Sequence, residues 1–185
     1  MKTLHIFIIF VIVAIAQLFI PTKMILEQED ILDNGTVYKF RTQPVDPSDP
    51  FRGKYITLNY EMNSVQSNDT LWIRKQDVYV YIKKDDLGFA ELYKVSNEPL
   101  EIENDYVVGT VNYYNKKTKK LTFNVPFNRF YMEETKAKPA EDAYRKAQSD
   151  SLPNNIYGLV YIKDGEAVLN DVIINDVSIA KYVEE

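Results

Sequence analysis

The chain has 185 residues, of which 45% are hydrophobic and 26% are charged, and its formal net charge is -5. The net negative charge argues against nucleic acid as a partner, because a phosphate backbone requires clustered lysines and arginines. The chain has no cysteine, which excludes disulfides, thiol catalysis and cysteine-based metal sites. Its one histidine, His5, lies in an apolar leader, so histidine-dependent triads and histidine-ligated metals are excluded from the remaining domain-sized chain.

The N-terminal segment Leu4–Ile20 is apolar except for one histidine and one glutamine. A helix of about 17 residues is at the short end of what crosses the hydrocarbon core of a bilayer. Pro21 and Thr22 then interrupt the apolar pattern, and the acidic stretch between Met24 and Leu32 is expected to form a short helix or a juxtamembrane turn. The sequence therefore predicts a single transmembrane anchor over residues 1–24 and one β-rich domain over residues 25–185.

A cleaved signal peptide is the alternative to an anchor, because Ala14-Ile15-Ala16 has the small-x-small form that signal peptidase accepts. Cleavage would release a soluble ligand-binding domain that begins at Gln17. The apolar run continues through Ile20, which favours an uncleaved anchor. Because Lys2 and the α-amine precede the helix, we expect a cytoplasmic N-terminus. The expected location is the cell membrane, single-pass, with the C-terminal domain extracytoplasmic (periplasmic or cell-surface).

From Thr36 onward the sequence has the pattern of β-strands. An apolar set at every second position from 56 to 62 predicts a strand with one buried face: Ile56, Leu58, Tyr60 and Met62. Runs rich in β-branched and aromatic residues predict further strands at 78–82, 106–114, 121–125, 129–133, 157–162 and 167–174. Turn residues are predicted at Asn128, Asp164-Gly165 and Asn170-Asp171, and the lysine-rich segment Lys116–Lys120 is predicted to be a solvated hairpin tip.

One helix is predicted among the strands, with Pro139 in its first turn. A narrow apolar stripe at helical spacing predicts the face that packs on the sheet: Ala140, Ala143, Tyr144 and Ala147. Many antiparallel strands and one short helix favour a mainly β fold. The expected architecture is an N-terminal transmembrane helix followed by an antiparallel β-sandwich or partly open β-barrel.

The connection that begins at Pro44 is the most unusual part of the sequence. It has three prolines within seven residues, which restrict the backbone before the chain folds. Asp46, Asp49 and Arg52 lie on it, and rigid backbone that carries charged groups is typical of binding sites. A salt-bridged turn is the structural alternative. Calcium binding through Asp46 and Asp49 is a lesser alternative, because calcium takes six to eight oxygen ligands.

The order Pro-x-Asp-Pro-x-Asp-Pro-x-Arg-Gly-x-Tyr-x-x-Leu-x-Tyr resembles the signature of the bacterial membrane-anchored proteins named for a GDYXXLXY motif. Four positions match it: Gly53, Tyr55, Leu58 and Tyr60. Lys54 stands where that family has aspartate, so no catalytic or metal role is carried over to this position. Residues 128–134 and 164–169 resemble later segments of the family. The resemblance implies a single-pass, externally facing domain, often encoded beside a polytopic membrane protein, and it brings no established activity.

Seven residues form the candidate binding surface: Asp46, Asp49, Arg52, Tyr55, Tyr60, Arg129 and Tyr131. Tyrosine and arginine are favoured at protein interfaces, and period two places Arg129 and Tyr131 on one strand face. We therefore expect an accessory domain that docks on a polytopic membrane protein, with no metal, cofactor or catalytic residue assigned. The alternative is an envelope hydrolase with a paired-carboxylate site, or with a dyad of Ser48 or Ser64 and Lys54.

Overall fold

The computed structural model describes residues 2–43, 55–69, 71–149 and 155–182. The helices within these ranges are α1 (Lys2–Asn34), α2 (Glu134–Ser149) and α3 (Ile179–Tyr182). The strands are β1 (Thr36–Gln43), β2 (Tyr55–Thr57), β3 (Asn59–Tyr60), β4 (Ser64–Gln66), β5 (Asp77–Lys84), β6 (Ala90–Ser96), β7 (Tyr106–Asn115), β8 (Lys120–Asn124), β9 (Arg129–Tyr131), β10 (Ile156–Lys163), β11 (Glu166–Ile174) and β12 (Val177–Ser178). The fold is mainly β with one long N-terminal helix, so the predicted fold class is confirmed.

The strands of the described ranges form antiparallel sheets around a shared hydrophobic core. One five-stranded sheet has the order β12-β11-β10-β1-β3, and another has the order β4-β8-β7-β5-β6. Strand β2 pairs with β9 in a two-stranded ribbon. The five-stranded sheets touch where the amide of Lys39 donates to the carbonyl of Gly88 (3.2 Å) and where the amide of Val108 donates to that of Gly165 (3.1 Å). The sheets include a half-barrel, which agrees with the prediction of a partly open barrel.

Helix α1 is longer than the sequence predicted, because it continues through Pro21 to Asn34. A proline inside a helix removes one backbone hydrogen bond, and the following residues up to Asp33 are mostly good helix formers. The helix crosses the predicted boundary between residues 24 and 25. The most apolar 18-residue stretch of this helix has a mean hydropathy of 2.6, and none of that stretch is buried in the structure. The helix is long enough and apolar enough to cross a membrane.

Helix α2 begins at Glu134, so the prediction that Pro139 lies in the first turn is wrong. The backbone amides of Lys136 and Ala137 donate to the carbonyl of Glu133 (both 2.9 Å), which starts the helix one turn earlier. Three of the four predicted stripe residues are buried, namely Ala140, Tyr144 and Ala147, whereas Ala143 is half-buried. Ala137, which was not predicted, extends the buried stripe by one turn toward the N-terminus of the helix. The helix packs this stripe against the core.

Two predictions for the strands also need correction. The strand predicted over residues 56–62 changes partner at Leu58, whose amide donates to the carbonyl of Asn128 (2.9 Å) between β2 and β3. The predicted turn at Asn170-Asp171 is instead a β-bulge inside β11: Leu159 pairs with Asp171 and Val160 with Leu169, which leaves Asn170 as the extra residue. Hydrophobic residues on both sides keep this segment in the sheet.

Other turn predictions are confirmed. Asp164 and Gly165 connect β10 to β11, with φ angles of 50° and 87°. The lysine-rich segment lies at the tip of the β7–β8 hairpin, and its lysines are exposed. Strand β6, at the edge of its sheet, is an element that the sequence reading did not predict.

Candidate functional site

The β2–β9 ribbon carries three of the predicted surface residues. Tyr55 pairs with Tyr131, Ile56 with Phe130, and Thr57 with Arg129. Because side chains alternate along a strand, Ile56 and Phe130 share one face and the other four residues share the opposite face. Ile56 is buried and Phe130 packs against the core. The outer side, named here the ribbon face, consists of Tyr55, Thr57, Arg129 and Tyr131.

The ribbon face holds a cation beside two aromatic rings. The ring centroids of Tyr55 and Tyr131 are 5.3 Å apart, with an interplanar angle of 54°. The guanidinium carbon of Arg129 lies 5.0 Å from the centroid of the Tyr55 ring, which is cation–π distance. Arg129 also hydrogen-bonds to Tyr131, and this bond, followed by the field of Tyr55, raises the pKa of Arg129. The guanidinium therefore contacts both tyrosine side chains of the ribbon face.

This arrangement suits recognition of a protein surface. The side chain of Tyr131 is 63% exposed although its ring contacts Tyr55, so a large amphipathic surface remains open to a partner. Tyrosine and arginine supply much of the binding energy at protein interfaces, partly because a restrained side chain loses little entropy on binding. The ribbon face can offer stacking, hydrogen bonds and a positive charge within one patch.

Tyr60 does not belong to this face, which corrects its assignment to the binding surface. Its side chain is 3% exposed, and its hydroxyl donates to the carbonyl of Phe127 (3.0 Å). Its ring packs edge-on against Phe40 and Phe127, at 5.6 and 5.2 Å between centroids. Burial, followed by the field of Tyr144, raises the pKa of Tyr60 well above its ordinary value. Tyr60 is a core residue.

The charged residues of the proline-rich connection lie outside the described residues. These are Asp46, Asp49 and Arg52, together with Ser48 and Lys54 of the hydrolase alternative. The connection joins β1 to β2, and so it leads directly into the ribbon at Tyr55. Ser64, the other candidate nucleophile, is half-buried in β4 and pairs with Thr122.

A shallow depression lies beside the ribbon, and the sequence reading did not predict it. Its polar lining consists of four asparagines: Asn59, Asn63, Asn124 and Asn128. The side-chain amide nitrogen of Asn63 donates to the side-chain oxygen of Asn59 (3.2 Å). The depression has a volume of only about 40 Å³, whereas ligand pockets of drug-like size run to roughly 300–1,000 Å³. It can hold water or one small polar group.

A second cation–aromatic cluster lies where the two large sheets meet. The guanidinium carbon of Arg41 sits 3.6 Å from the centroid of Phe89, and Arg41 pairs with Asp85 at 3.6 Å. The ammonium of Lys39 lies 5.4 Å from the same ring, which in turn contacts Tyr157 edge-on at 5.4 Å. The residues connect β1 with the turn after β5, so we interpret this cluster as a structural clamp between the sheets.

Metal-binding side chains are not grouped in the described part of the chain. Among residues 2–43, 55–69, 71–149 and 155–182, no three His, Cys, Asp or Glu residues come together as ligands. The site that the structure does assemble is therefore one of aromatic rings, a guanidinium and amide groups.

The comparisons with known proteins give one match. A sequence model of the family described as "GDYXXLXY protein" matches residues 17–172, which is most of the chain. No curated protein matches, and no solved structure matches. The matched range runs from the apolar helix to β11 and includes the whole ribbon. The chain therefore belongs to the GDYXXLXY protein family.

Proposed function

We propose that this protein is a membrane-anchored, extracytoplasmic binding domain, and that its ribbon face docks on a polytopic membrane protein. The observation that carries the proposal is the arrangement of Arg129 on an exposed strand beside Tyr55 and Tyr131. A restrained guanidinium in an open aromatic patch has no evident role in the core. It has the chemistry of an interface centre.

The properties of α1 support the anchor. The apolar side chains of its N-terminal part are exposed: Leu4, Phe7 and Leu18 are 64%, 61% and 68% exposed. Burying one such side chain away from water is worth about 1.5–3 kcal/mol. The mainly apolar part from Leu4 to Leu26 spans about 34 Å as a helix, against a hydrocarbon core of about 30 Å. A bilayer is therefore the environment that suits this helix best.

The positive-inside rule supports an extracytoplasmic domain. Lys2 precedes the apolar segment, and on the other side Lys23 is paired with Glu27 at 3.3 Å. The anchor would confine the domain to the plane of the membrane. Confinement raises the effective concentration of a partner that is embedded in the same membrane, so a modest interface suffices.

Site-specific photo-crosslinking tests the docking surface. A photoreactive phenylalanine analogue at Tyr131 is compared with the same analogue at Tyr93, an exposed tyrosine of β6 with a similar accessibility of 54% against 63%. In native membranes we expect one integral membrane protein to be crosslinked from position 131 and not from position 93, with mass spectrometry as the readout. Equal capture at both positions, or capture of soluble proteins alone, contradicts the proposal.

A further inference from the structure

A cationic and apolar surface lies at the end of the β7–β8 hairpin, away from the ribbon face. It combines the exposed segment Leu71–Lys75 with the hairpin tip Tyr113–Lys120, and it is named here the basic tip. The two stretches 66–77 and 113–120 together have six cationic side chains and two carboxylates. This excess is opposite in sign to the net charge of -5 of the chain.

Hydrogen bonds join the two parts of the basic tip into one surface. The amide of Ser67 donates to the carbonyl of Lys119 (2.8 Å), and the ammonium of Lys119 donates to Asn68 (3.3 Å). The amide of Lys75 donates to the carbonyl of Val111 on β7 (2.8 Å). These bonds hold the segment that precedes β5 against β7 and against the turn that leads into β8.

Two aliphatic side chains project from this surface. Leu71 is 72% exposed and Ile73 is 69% exposed; among the large hydrophobic residues of the described domain beyond α1, only Leu87, at 69%, is as exposed as Ile73. Trp72 lies between them in sequence and is half-buried, and its indole donates to the hydroxyl of Ser67 (2.9 Å). Trp72 thus fixes the base of the loop while its two neighbours point away from the core.

We propose that the basic tip binds the surface of an anionic phospholipid bilayer, with Leu71 and Ile73 inserted among the acyl chains and the cations on the headgroups. Exposed aliphatic residues flanked by lysine, arginine and an aromatic ring are the chemistry of membrane-interface insertion. A purely cationic surface would suit an acidic protein equally well. The two protruding aliphatic residues favour lipid, because a bilayer offers hydrocarbon in which both can be buried directly beneath anionic headgroups.

The single tryptophan of the chain reports on this contact directly, because it lies between the inserting residues. The full-length protein is reconstituted in nanodiscs of phosphatidylcholine with brominated acyl chains, with or without phosphatidylglycerol. A parallel arm adds brominated vesicles of the same two compositions to protein in unbrominated discs. In at least one of the two arms we expect the brominated lipid to quench Trp72 fluorescence when phosphatidylglycerol is present and not when it is absent. We also expect this quenching to fall at high salt.

Matched variants separate charge from insertion. Each cation near an anionic surface is worth roughly fivefold in partitioning, so Lys116→Gln with Lys117→Gln lowers apparent binding about 25-fold. Lys94→Gln with Lys138→Gln changes the net charge equally at exposed sites elsewhere and leaves binding unchanged. Leu71→Ser with Ile73→Ser abolishes quenching, while unchanged circular dichroism shows that the domain stays folded. Absence of quenching in both arms, or equal quenching without phosphatidylglycerol, overturns the proposal.

Discussion

The geometry of the ribbon face depends on which side chains share one side of two short strands. Arg129 lies diagonally opposite Tyr55, and Tyr131 lies directly opposite it, so ring and cation contacts are built into the register. Ile56 and Phe130 hold the other side against the core. The positions of Tyr55, Arg129 and Tyr131 therefore rest on two apolar residues on the opposite side of the ribbon.

Replacing Arg129 by alanine tests its proposed role in docking. Arg129→Ala removes the cation from the ribbon face, and loss of a central arginine at an interface costs about 2 kcal/mol, or about 30-fold in affinity. We expect crosslinking yield from position 131 to fall accordingly. Lys94→Ala, which removes an exposed cation from β6, serves as the control and should leave the yield unchanged. An unchanged yield in Arg129→Ala contradicts the assigned role.

The glycine at position 165 is required for two separable reasons. Its φ of +87° is strained for any other residue, and a Cβ there would lie 2.5 Å from the Tyr106 ring. Gly88 has a similar φ of +81°, but the nearest atom to its Cβ position is 3.9 Å away on Lys39. We expect Gly88→Ala to lower the free energy of unfolding by about 1 kcal/mol and Gly165→Ala by about 2–4 kcal/mol in urea titrations. Equal losses would show that the steric contact does not matter.

The buried hydroxyl of Tyr60 predicts a dependence of stability on alkaline pH. Burial raises the pKa of Tyr60 above the value of about 10 that a tyrosine has in the unfolded chain. The contribution of this difference to the free energy of unfolding is therefore complete below about pH 10 and is lost as the pH rises above it. The expected loss is about 1.4 kcal/mol per pH unit above that value. Tyr60→Phe should lower stability by about 1 kcal/mol at pH 8, because the carbonyl of Phe127 loses its donor, and should weaken the alkaline decline. Urea titrations at pH 8 and 11 decide: the same decline in both proteins contradicts the prediction.

At the scale of elements, the features that the sequence predicted correctly are those that depend on local periodicity. The alternation of apolar residues identified the buried face of β2 and β3, and the helical stripe identified the packing face of α2. The same alternation places Tyr60 with Ile56 and Leu58 on the buried face, so the sequence contained the signal that Tyr60 is a core residue. The motif resemblance gave no means of separating buried from exposed tyrosines.

The features that the sequence did not predict depend on which strands pair. The change of partner at Leu58 is fixed by Asn128, which is distant in sequence, and the bulge at Asn170 is fixed by the register against β10. The same limit applies to the site, because the diagonal contact of Arg129 with Tyr55 needs the β2–β9 register. The periodicity of one segment carries no information on which strand pairs with it or in which register.

Pro139 makes α2 a suitable element for a stability test. The proline lies within the second turn of the helix and is exposed, so Pro139→Ala removes no packing. It restores one backbone amide toward Thr135 and removes the clash of the ring with the preceding turn. We expect the free energy of unfolding to rise by about 1–3 kcal/mol in urea titrations. Unchanged or lower stability would mean that the turn before Pro139 contributes little to the folded domain.

At the scale of the whole molecule, α1 joins the domain without a flexible linker in the described residues. Ile31 is buried against the domain, and Lys163 donates to Asp30 at 2.5 Å. Gly35 follows, and its amide donates to the carbonyl of Ile31 (2.9 Å). From Leu26, the last residue of the apolar part, to Asp30 the helix rises about 6 Å. We therefore expect the domain to lie at the level of the lipid headgroups in a fixed orientation, which favours contact with a neighbour in the same membrane.

Cysteine accessibility tests the central claim, membrane anchoring with an external domain, most directly. The chain has no cysteine, so Glu98→Cys in the domain and Thr3→Cys before the apolar segment each give a unique label site. In right-side-out membrane vesicles treated with a membrane-impermeant maleimide, we predict labelling of Glu98→Cys at once and of Thr3→Cys only after detergent is added, with both proteins resisting alkaline extraction. The reverse order of labelling, or recovery of the intact chain in the soluble fraction, would contradict the account.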